Sequence, residues 1–199
     1  MKVVIIDYGA GNIFSVKQAF LRIGAEVVLS DKEAEIRNAS HVIFPGVGHA
    51  KSAMEKLSET GLDKVIPDLR QPVLGVCLGM QLMCDFTEEG NTAGLGIFPV
   101  QVKDLRKMQI CQFAKWQTDK PNYPIPHMGW NDVKTSNGTN SYYFVHNFAA
   151  EICTETAGIT EYPLPFSAIL KKKNFTGVQF HPEKSGAAGE QLLKQFLAV

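Results

Sequence analysis

The sequence predicts an α/β fold in which an open, mostly parallel sheet carries helices on both faces and continues into an antiparallel extension. Strand-like and helix-like segments alternate through the first half of the chain, which is typical of parallel sheets. Short, turn-bounded strand-like segments then fill much of the second half. Because 199 residues, of which 45% are hydrophobic, can bury one core of ordinary size, we expect a single domain over residues 1–199.

The elements of the first half follow from β-branched runs and from apolar residues at helical spacing. The first predicted helix ends at Gly24, because glycine suits the left-handed turn after a helix. The predicted order is strand Lys2–Ile6, helix Ile13–Ile23, strand Glu26–Leu29, strand His41–Phe44, a helix with Ala53, Met54 and Leu57 on one face, strand Pro72–Val76 and helix Leu78–Phe86.

The second half is predicted to add the antiparallel extension and one last helix. Strands are predicted at 95–103, 128–134, 141–148, 166–170 and 175–180, followed by a helix with Leu192, Leu193, Phe196 and Leu197 on one stripe. The stretch 105–126 has no clean periodicity, and we interpret it as a long surface excursion.

Composition excludes several classes of protein. Twenty basic and twenty acidic residues give a formal net charge of zero, which argues against a basic nucleic-acid face and a polybasic membrane anchor. No apolar run approaches the roughly 18 residues of a membrane span, and the first apolar run is too short for a signal peptide. The four cysteines form no C-x-x-C pair and no metal-ligand spacing. We therefore expect a reducing, cytoplasmic setting, with no metal and no cofactor.

The sharpest local motif is Gly75-Val76-Cys77-Leu78-Gly79, a G-x-C-x-G sequence between a predicted strand and a predicted helix. This pattern is a nucleophile elbow with cysteine in place of serine. The turn places Cys77 at a helix N-terminus, which favours a thiolate, and aims the Leu78 amide at an oxyanion beside the sulfur. A buried structural cysteine between packing glycines is an equally good interpretation of the motif alone.

Two further motifs could complete such a site. In His181-Pro182-Glu183, residues i and i+2 of an extended chain point to one side, so Glu183 could orient the His181 ring as a base for Cys77. Pro45-Gly46-Val47-Gly48 follows the third strand and could present backbone amides as the second half of an oxyanion hole. Taken singly, the first motif is more often a strand-end turn and the second an ordinary strand-to-helix turn.

Together and in this order, the three motifs resemble the class I (triad) glutamine amidotransferase family. The likeness is closest to the glutaminase subunits of the two-component synthase that makes imidazole glycerol phosphate in histidine biosynthesis, because general class I glutaminases lack the run His127-Met128-Gly129-Trp130-Asn131. The matching segments are Asp7–Asn12, Pro45–His49, Gly75–Gln81, Pro126–Asn131, Tyr143–His146 and Phe180–Ser185.

The resemblance implies a role for each matching residue. It implies Cys77 as the nucleophile, His181 as base and acid, Glu183 as the orienter of His181, Val47 and Leu78 as the oxyanion hole, Gly46, Gly48, Gln81, Asn147 and Phe148 as glutamine-binding residues, and Asn12, Ser15, Trp130, Tyr143 and Lys184 as the partner interface. It also implies a heterodimer with a (β/α)8-barrel cyclase, which receives the ammonia released from glutamine.

Other interpretations remain open at the level of sequence. The stretch 105–126 is longer than the family's usual approach to the H-M-G-W-N run, which leaves room for a paralogue that supplies ammonia to another acceptor, such as a surface-sugar precursor. A non-catalytic binding module on the same fold is a second possibility. A cysteine peptidase is a third, because an elbow and a histidine do not encode which carbonyl is attacked. Trp130 and Tyr143 could equally be core residues.

Overall fold

In the computed structural model, which describes residues 2–9, 13–108 and 123–199, thirteen strands form one mixed sheet. The strands are β1 (Lys2–Ile6), β2 (Glu26–Ser30), β3 (His41–Phe44), β4 (Val73–Val76), β5 (Cys84–Thr87), β6 (Thr92–Ala93), β7 (Phe98–Asp104), β8 (His127–Thr135), β9 (Gly138–His146), β10 (Phe148–Ala150), β11 (Thr156–Glu161), β12 (Pro165–Lys172) and β13 (Phe175–Val178). The helices are α1 (Ile13–Arg22), α2 (Glu33–Arg37), α3 (Ala50–Glu59), α4 (Leu62–Val65), α5 (Leu78–Leu82) and α6 (Gly186–Leu197).

The sheet has a parallel half and an antiparallel half. Strands β2, β1, β3, β4 and β13 lie side by side in that order and are all parallel. The strand order reverses at β1, which has β2 on one side and β3 on the other. Beyond β13 the sheet continues through the antiparallel strands β12, β10 and β7, and the β8–β9 hairpin joins it through β11. The predicted fold class is therefore confirmed.

Helices cover both faces of the parallel half, as its strand sequences require. Successive side chains of a strand point to opposite faces, and in β1 Val3 and Ile5 pack in one core while Val4 and Ile6 pack in another. The first core includes residues of α1 and α6, and the second includes residues of α3 and α4. Burial on both faces explains why these strands are continuous apolar runs rather than alternating ones.

The predicted helix Leu78–Phe86 is wrong in its second half. The helix ends at Leu82, and Cys84–Thr87 forms strand β5, which pairs with β7. The apolar residues of this segment fit a helix and a buried strand equally well, and the pairing with β7 decides between them. The short helices α2 and α4 and the strands β6 and β11 were not predicted. Of the predicted surface excursion, residues 109–122 lie outside the described residues.

Gly79 allows the sheet and the first turn of α5 to touch, and its replacement should be severe. A Cβ at Gly79 would lie 2.0 Å from the Phe44 carbonyl oxygen. We expect Gly79→Ala to lower the free energy of unfolding by roughly 4 kcal/mol or more, because backbone on both sides of the contact must move. The matched control is Gly24→Ala, where φ is +82° with open space around it, and the cost should be only about 1–2 kcal/mol. Urea unfolding of both variants measures the difference, and equal losses would contradict this account.

Candidate active site

Three adjacent parallel strands bring the predicted motifs to one edge of the sheet. Strand β4 lies between β3 and β13, and the segments that follow these strands contain Pro45–Gly48, Cys77 and His181. The Cys77 amide donates a hydrogen bond to the Val178 carbonyl at 2.8 Å, which ties the ends of β4 and β13 together. Ligands of open α/β sheets bind beyond such carboxyl ends, near a reversal of strand order.

Cys77 has a backbone conformation that is strained for a residue with a side chain. Its φ of 53° and ψ of −111° are rare outside glycine. The glycines on either side permit the turn, since a Cβ at Gly75 would lie 2.7 Å from the Met83 sulfur. The Cys77 side chain is directed into a cavity, although the residue is only 7% exposed. Sharp geometry of this kind is the form of a nucleophile elbow.

His181 lies between Cys77 and a buried carboxylate. Its Nδ1 atom is 2.8 Å from Glu183 Oε1, and His181 and Cys77 line the same cavity. Burial by itself lowers the pKa of His181, but the hydrogen bonds to Cys77 and Glu183 and their negative charges outweigh burial and raise it to about 10. Near neutral pH the favoured state is therefore an imidazolium that faces both sulfur and carboxylate.

The geometry that joins His181 to Glu183 differs from the one predicted. His181 is extended, as the following proline requires, but residues Pro182–Lys184 form a 3-10 turn rather than an extended chain. This turn brings the Glu183 carboxylate back to the histidine ring. Ser185 fixes the segment further, because its hydroxyl donates to the His181 carbonyl and accepts from the Tyr143 amide.

A cavity of about 290 Å³ lies next to Cys77 and His181. It is lined by Val47, Gly48, Cys77, Leu78, Gln81, Glu89, Val145, His146, Asn147, Phe148 and His181. Its volume is at the small end for ligand sites, which suits a molecule of amino-acid size. The lining therefore includes the predicted catalytic residues Cys77 and His181 and all but one of the predicted glutamine-binding residues, whereas Glu183 contacts His181 from outside the lining.

Gly46 is the exception, because it is buried and absent from the cavity lining. A Cβ at Gly46 would lie 2.5 Å from the Gly79 amide nitrogen, so this glycine packs the loop closely against the elbow. The prediction that Gly46 binds glutamine stays a prediction. Val47, by contrast, is 38% exposed and forms part of the cavity wall.

Two residues that sequence analysis missed belong to the site. The buried Tyr8 hydroxyl donates to the Pro45 carbonyl at 3.0 Å and anchors the start of the Pro45–Gly48 loop. Burial raises the pKa of Tyr8, with a smaller contribution from Cys77, so the hydroxyl stays protonated as a donor. Glu89 lines the cavity and accepts a hydrogen bond from the Ala50 amide at 2.8 Å. A carboxylate in a turn between two short strands has no motif that could have indicated its place.

Gln81 connects the elbow helix to the opposite wall of the cavity. Its Nε2 atom donates to the Phe148 carbonyl at 2.9 Å and to the Gln179 side chain at 3.0 Å. Both amide hydrogens are thus committed, and the carbonyl oxygen is the atom that Gln81 can offer to a ligand. Gln179 in turn donates to the Cys77 sulfur, at a nitrogen–sulfur distance of 3.8 Å.

Three of the predicted interface residues, Trp130, Tyr143 and Lys184, lie together next to His181, whose amide donates to the Tyr143 carbonyl. Trp130 is 59% exposed, so its interpretation as a core residue is wrong. Its ring meets that of Tyr143 edge to face at 6.3 Å, and Lys184 Nζ lies 6.0 Å from the centre of the Tyr143 ring. Ser15 is half-buried on α1, and Asn12 lies outside the described residues.

Cys84 and Cys153, the other cysteines that the structure describes, do not line the cavity. Cys84 is fully buried in the core, as predicted, but on strand β5 rather than on a helix. Cys153 is half-buried, and Cys111 lies outside the described residues. Among residues 2–9, 13–108 and 123–199, no cluster of His, Cys, Asp or Glu is arranged to hold a metal ion. In the same ranges no helix combines the length and the apolar character needed to cross a bilayer.

Comparison with known proteins places this geometry in a family. The model of the family described as Glutamine amidotransferase class-I matches residues 4–199. Curated relatives named imidazole glycerol phosphate synthase subunit HisH are 46% identical in Bacteroides fragilis and 42% identical in Yersinia pseudotuberculosis, and each match covers 100% of both chains. A third HisH subunit, from Bacteroides thetaiotaomicron, is 45% identical over 99% of both chains.

Solved structures support the fold independently. A crystal structure of a glutamine amidotransferase matches with a TM-score of 0.71 at 16% identity, over 98% of this chain and 97% of that one. The structure of PurLQS from Thermotoga maritima matches with a TM-score of 0.68 at 14% identity, over 99% and 97%. The chain therefore belongs to the class-I glutamine amidotransferase family, in the branch formed by the HisH subunits of imidazole glycerol phosphate synthase.

Proposed function

We propose that this chain is the glutaminase subunit of an imidazole glycerol phosphate synthase and that Cys77, His181 and Glu183 are its catalytic triad. The observation that carries the proposal is that Cys77 and His181 line one cavity, while the His181 ring is hydrogen-bonded on its other side to the Glu183 carboxylate. A nucleophile, a base and a group that orients the base are the parts that covalent amide hydrolysis needs.

The reaction proceeds in two halves. The Cys77 thiolate attacks the side-chain amide carbon of glutamine, and the carbonyl oxygen becomes an oxyanion. The His181 imidazolium gives its proton to the departing nitrogen, so that ammonia leaves and a thioester remains. His181 then removes a proton from water, which attacks the thioester, and glutamate leaves as the Cys77 thiolate returns. Glu183 keeps the histidine ring in the required tautomer throughout.

The oxyanion is held by the amides of Leu78 and Val47. Leu78 is the first residue of α5, so its amide has no acceptor within the helix and can serve an anion beside the sulfur. The Val47 amide belongs to a loop that faces the same cavity and can become a donor through a peptide flip. Each such donor contributes on the order of a hundredfold to the rate. The flip therefore gives the partner subunit a means of switching the glutaminase on.

Glutamine is held by its α-ammonium group on one side of the cavity and by polar contacts on the opposite wall. The Glu89 carboxylate lines the cavity and can pair with the α-ammonium group, while Gln81 and the backbone of Asn147 and Phe148 offer polar contacts along the opposite wall. Gly48, also in the lining, leaves the loop backbone accessible to the ligand. Glu89 is half-buried, and a hydrogen bond between a carboxylate and an ammonium group is stronger than one between neutral groups.

Glu89→Gln tests this binding role without removing the structural hydrogen bond. The side-chain amide oxygen of the substituted residue can still accept from the Ala50 amide, whereas the negative charge of Glu89 is lost. We expect the KM for glutamine to rise about tenfold, which corresponds to one charge-assisted hydrogen bond, with little change in Tm. Steady-state glutamate release and thermal unfolding measure the two quantities. An unchanged KM would rule out contact between Glu89 and the ammonium group.

The ammonia is delivered to a (β/α)8-barrel cyclase that forms a heterodimer with this chain. Free ammonia becomes protonated in water and loses its nucleophilicity, which favours direct transfer between subunits. The surface formed by Trp130, Tyr143 and Lys184 suits a docking site, because large exposed aromatic side chains and a cation are common at the centres of interfaces. Ser15 and Asn12 complete the proposed interface. We assign this chain a single domain and a cytoplasmic location, where the Cys77 thiol stays reduced.

The function is tested by glutamate release from glutamine, measured with and without the barrel cyclase. We expect weak release by the chain alone and a large increase in the complex. The outcome that contradicts the proposal is a correctly folded chain that releases no glutamate in either condition. Trp130→Ala should weaken association with the cyclase and leave the residual activity of the isolated chain unchanged.

A further inference from the structure

Two buried histidines outside the triad face each other across the β8–β9 hairpin. His127 and His146 are paired in register, and both are at least nine-tenths buried. His127 Nδ1 lies 2.9 Å from His146 Nε2. Neither residue takes part in the proposed chemistry, although His146 lines the cavity.

The hydrogen bonds around this pair have only one consistent direction. The Phe148 carbonyl, 2.8 Å from His146 Nδ1, can only accept, so His146 carries its hydrogen on Nδ1 and accepts at Nε2. His127 must then donate from Nδ1 and accept at Nε2, where Asn131 Nδ2 lies at 3.2 Å. The Asn131 amide is oriented to match, because its Oδ1 atom accepts from the Asp132 amide at 2.8 Å. These hydrogen bonds form a chain that runs from Asn131 through both histidine rings to the Phe148 carbonyl, which we call the hydrogen-bond chain.

Aromatic side chains surround the His127 ring and exclude water from it. The His127 ring is stacked between Phe144, at 4.7 Å, and Tyr162, at 3.8 Å between ring centres. Burial lowers the pKa of His127 to about 4. Burial and the neighbouring His127 lower that of His146 to about 3. Both rings are therefore neutral near pH 7, as a chain with one donor and one acceptor per ring requires.

The hydrogen-bond chain ends at the Phe148 carbonyl, in the wall of the proposed glutamine cavity. The Phe148 carbonyl accepts from His146 and also from Gln81, so it is held from two sides. His146, Asn147 and Phe148 all line the cavity. The other end, Asn131, directly follows Trp130 on β8. The chain therefore connects the strand that carries the proposed partner surface with the backbone that would bind substrate.

We infer that His127 and His146 are positioning residues, which fix the Asn147–Phe148 wall for glutamine through a one-directional chain of hydrogen bonds that starts at Asn131. This inference rests on the proposed function, since it assigns the wall to glutamine. The pair acts through the backbone and does not touch the reacting atoms. Its loss should therefore weaken substrate binding more than it slows the chemical step.

The ring tautomers of His127 and His146 test the hydrogen-bond chain without any measurement of activity. In protein labelled with nitrogen-15 at histidine, at pH 7.5, His127 and His146 should each show a protonated Nδ1 and an unprotonated Nε2. Asn131→Asp replaces the donor with an acceptor of the same shape, so His127 should move its hydrogen to Nε2. A wild-type Nε2–H tautomer at either ring would overturn the inference, whatever the activity of the protein.

Kinetics test the positioning role in the complex with the cyclase. His127→Phe keeps a ring between Phe144 and Tyr162 but leaves His146 Nε2 without its donor. Asn131→Asp disturbs the hydrogen-bond chain from its other, half-buried end. We expect the KM for glutamine to rise about tenfold in both variants, with kcat changed by less than about threefold. Tyr162→Leu is the control. It removes a stacking ring and the hydrogen bond to the Pro124 carbonyl, but none of the hydrogen bonds that link Asn131 through the two histidines to Phe148.

The outcomes separate the inference from the proposed function. Tyr162→Leu should lower Tm and leave KM unchanged. An unchanged KM in Asn131→Asp and His127→Phe, in a wild-type complex that hydrolyses glutamine, would overturn the positioning role while the glutaminase proposal stands. A wild-type complex that hydrolyses no glutamine would end the proposed function and the substrate assignment of this wall together, and the tautomers would still report on the chain itself.

Discussion

Cys77→Ala is expected to lower glutamine hydrolysis by about 10⁴-fold or more, because the variant keeps the cavity and loses the sulfur of the proposed nucleophile. The measurement is single-turnover glutamate release by the purified complex. Cys153→Ala is the matched control, since Cys153 is half-buried and lies outside the cavity lining, and its activity should equal that of the wild type. Equal losses in the two variants would contradict a nucleophilic role for Cys77.

The same position should also show a conflict between stability and function. The φ of 53° at Cys77 is unfavourable for any residue with a Cβ. We therefore expect Cys77→Gly to be more stable than Cys77→Ala by about 1 kcal/mol or more, although both are inactive. Urea unfolding at one pH compares them. A glycine variant that is less stable than the alanine variant would show that the turn is not strained.

Glu183→Gln is the second change with a large expected effect. The carboxylate accepts the hydrogen bond from His181 Nδ1, whereas an amide can present an NH₂ group to the ring and favour the wrong tautomer. We expect kcat to fall by roughly 10²-fold to 10⁴-fold, in line with the loss of an orienting carboxylate in other triads. Stability should fall much less. Equal loss of turnover and stability would make Glu183 a structural residue.

The pH dependence of stability distinguishes the electrostatic role of Glu183 from a packing role. The pKa of His181 is raised to about 10 in the folded chain, above its ordinary value near 6.5. A raised histidine pKa stabilises the folded state fully below pH 6.5, and this stabilisation disappears as the pH rises through about 10. In Glu183→Gln a cause of the raised pKa is removed. The free energy of unfolding of the wild type should therefore exceed that of the variant most near pH 6 and least above pH 10, whereas a constant difference would indicate packing alone.

The parallel half of the fold could be predicted because its strands are locally distinct. Lys2–Ile6 and His41–Phe44 are continuous β-branched or aromatic runs, and the structure has strands with the same bounds. The order of strands could not be predicted in the same way. The position of β13 beside β4, which brings His181 to Cys77, depends on pairing between segments far apart in the chain. Only the joint presence of the motifs, through the family resemblance, indicated that they meet.

The parts of the site that sequence analysis missed are those that depend on such long-range contacts. Glu89 lies in a turn between β5 and β6, and β5 itself was predicted as the end of a helix. Tyr8 joins the Pro45 carbonyl across neighbouring strands, β1 and β3. His127 and His146 meet because the hairpin register pairs them. None of these contacts has a characteristic spacing along the chain, so a structure was needed to find them.

Covalent trapping tests the central claim most directly, that the Cys77 sulfur attacks glutamine with help from His181. The complex is incubated with a diazoketone analogue of glutamine, and the labelled peptide is identified by mass spectrometry. A single adduct on Cys77 is predicted, slowed by excess glutamine and greatly slowed by His181→Ala. Labelling of a different residue, or no labelling of the folded wild-type complex, would contradict the mechanism.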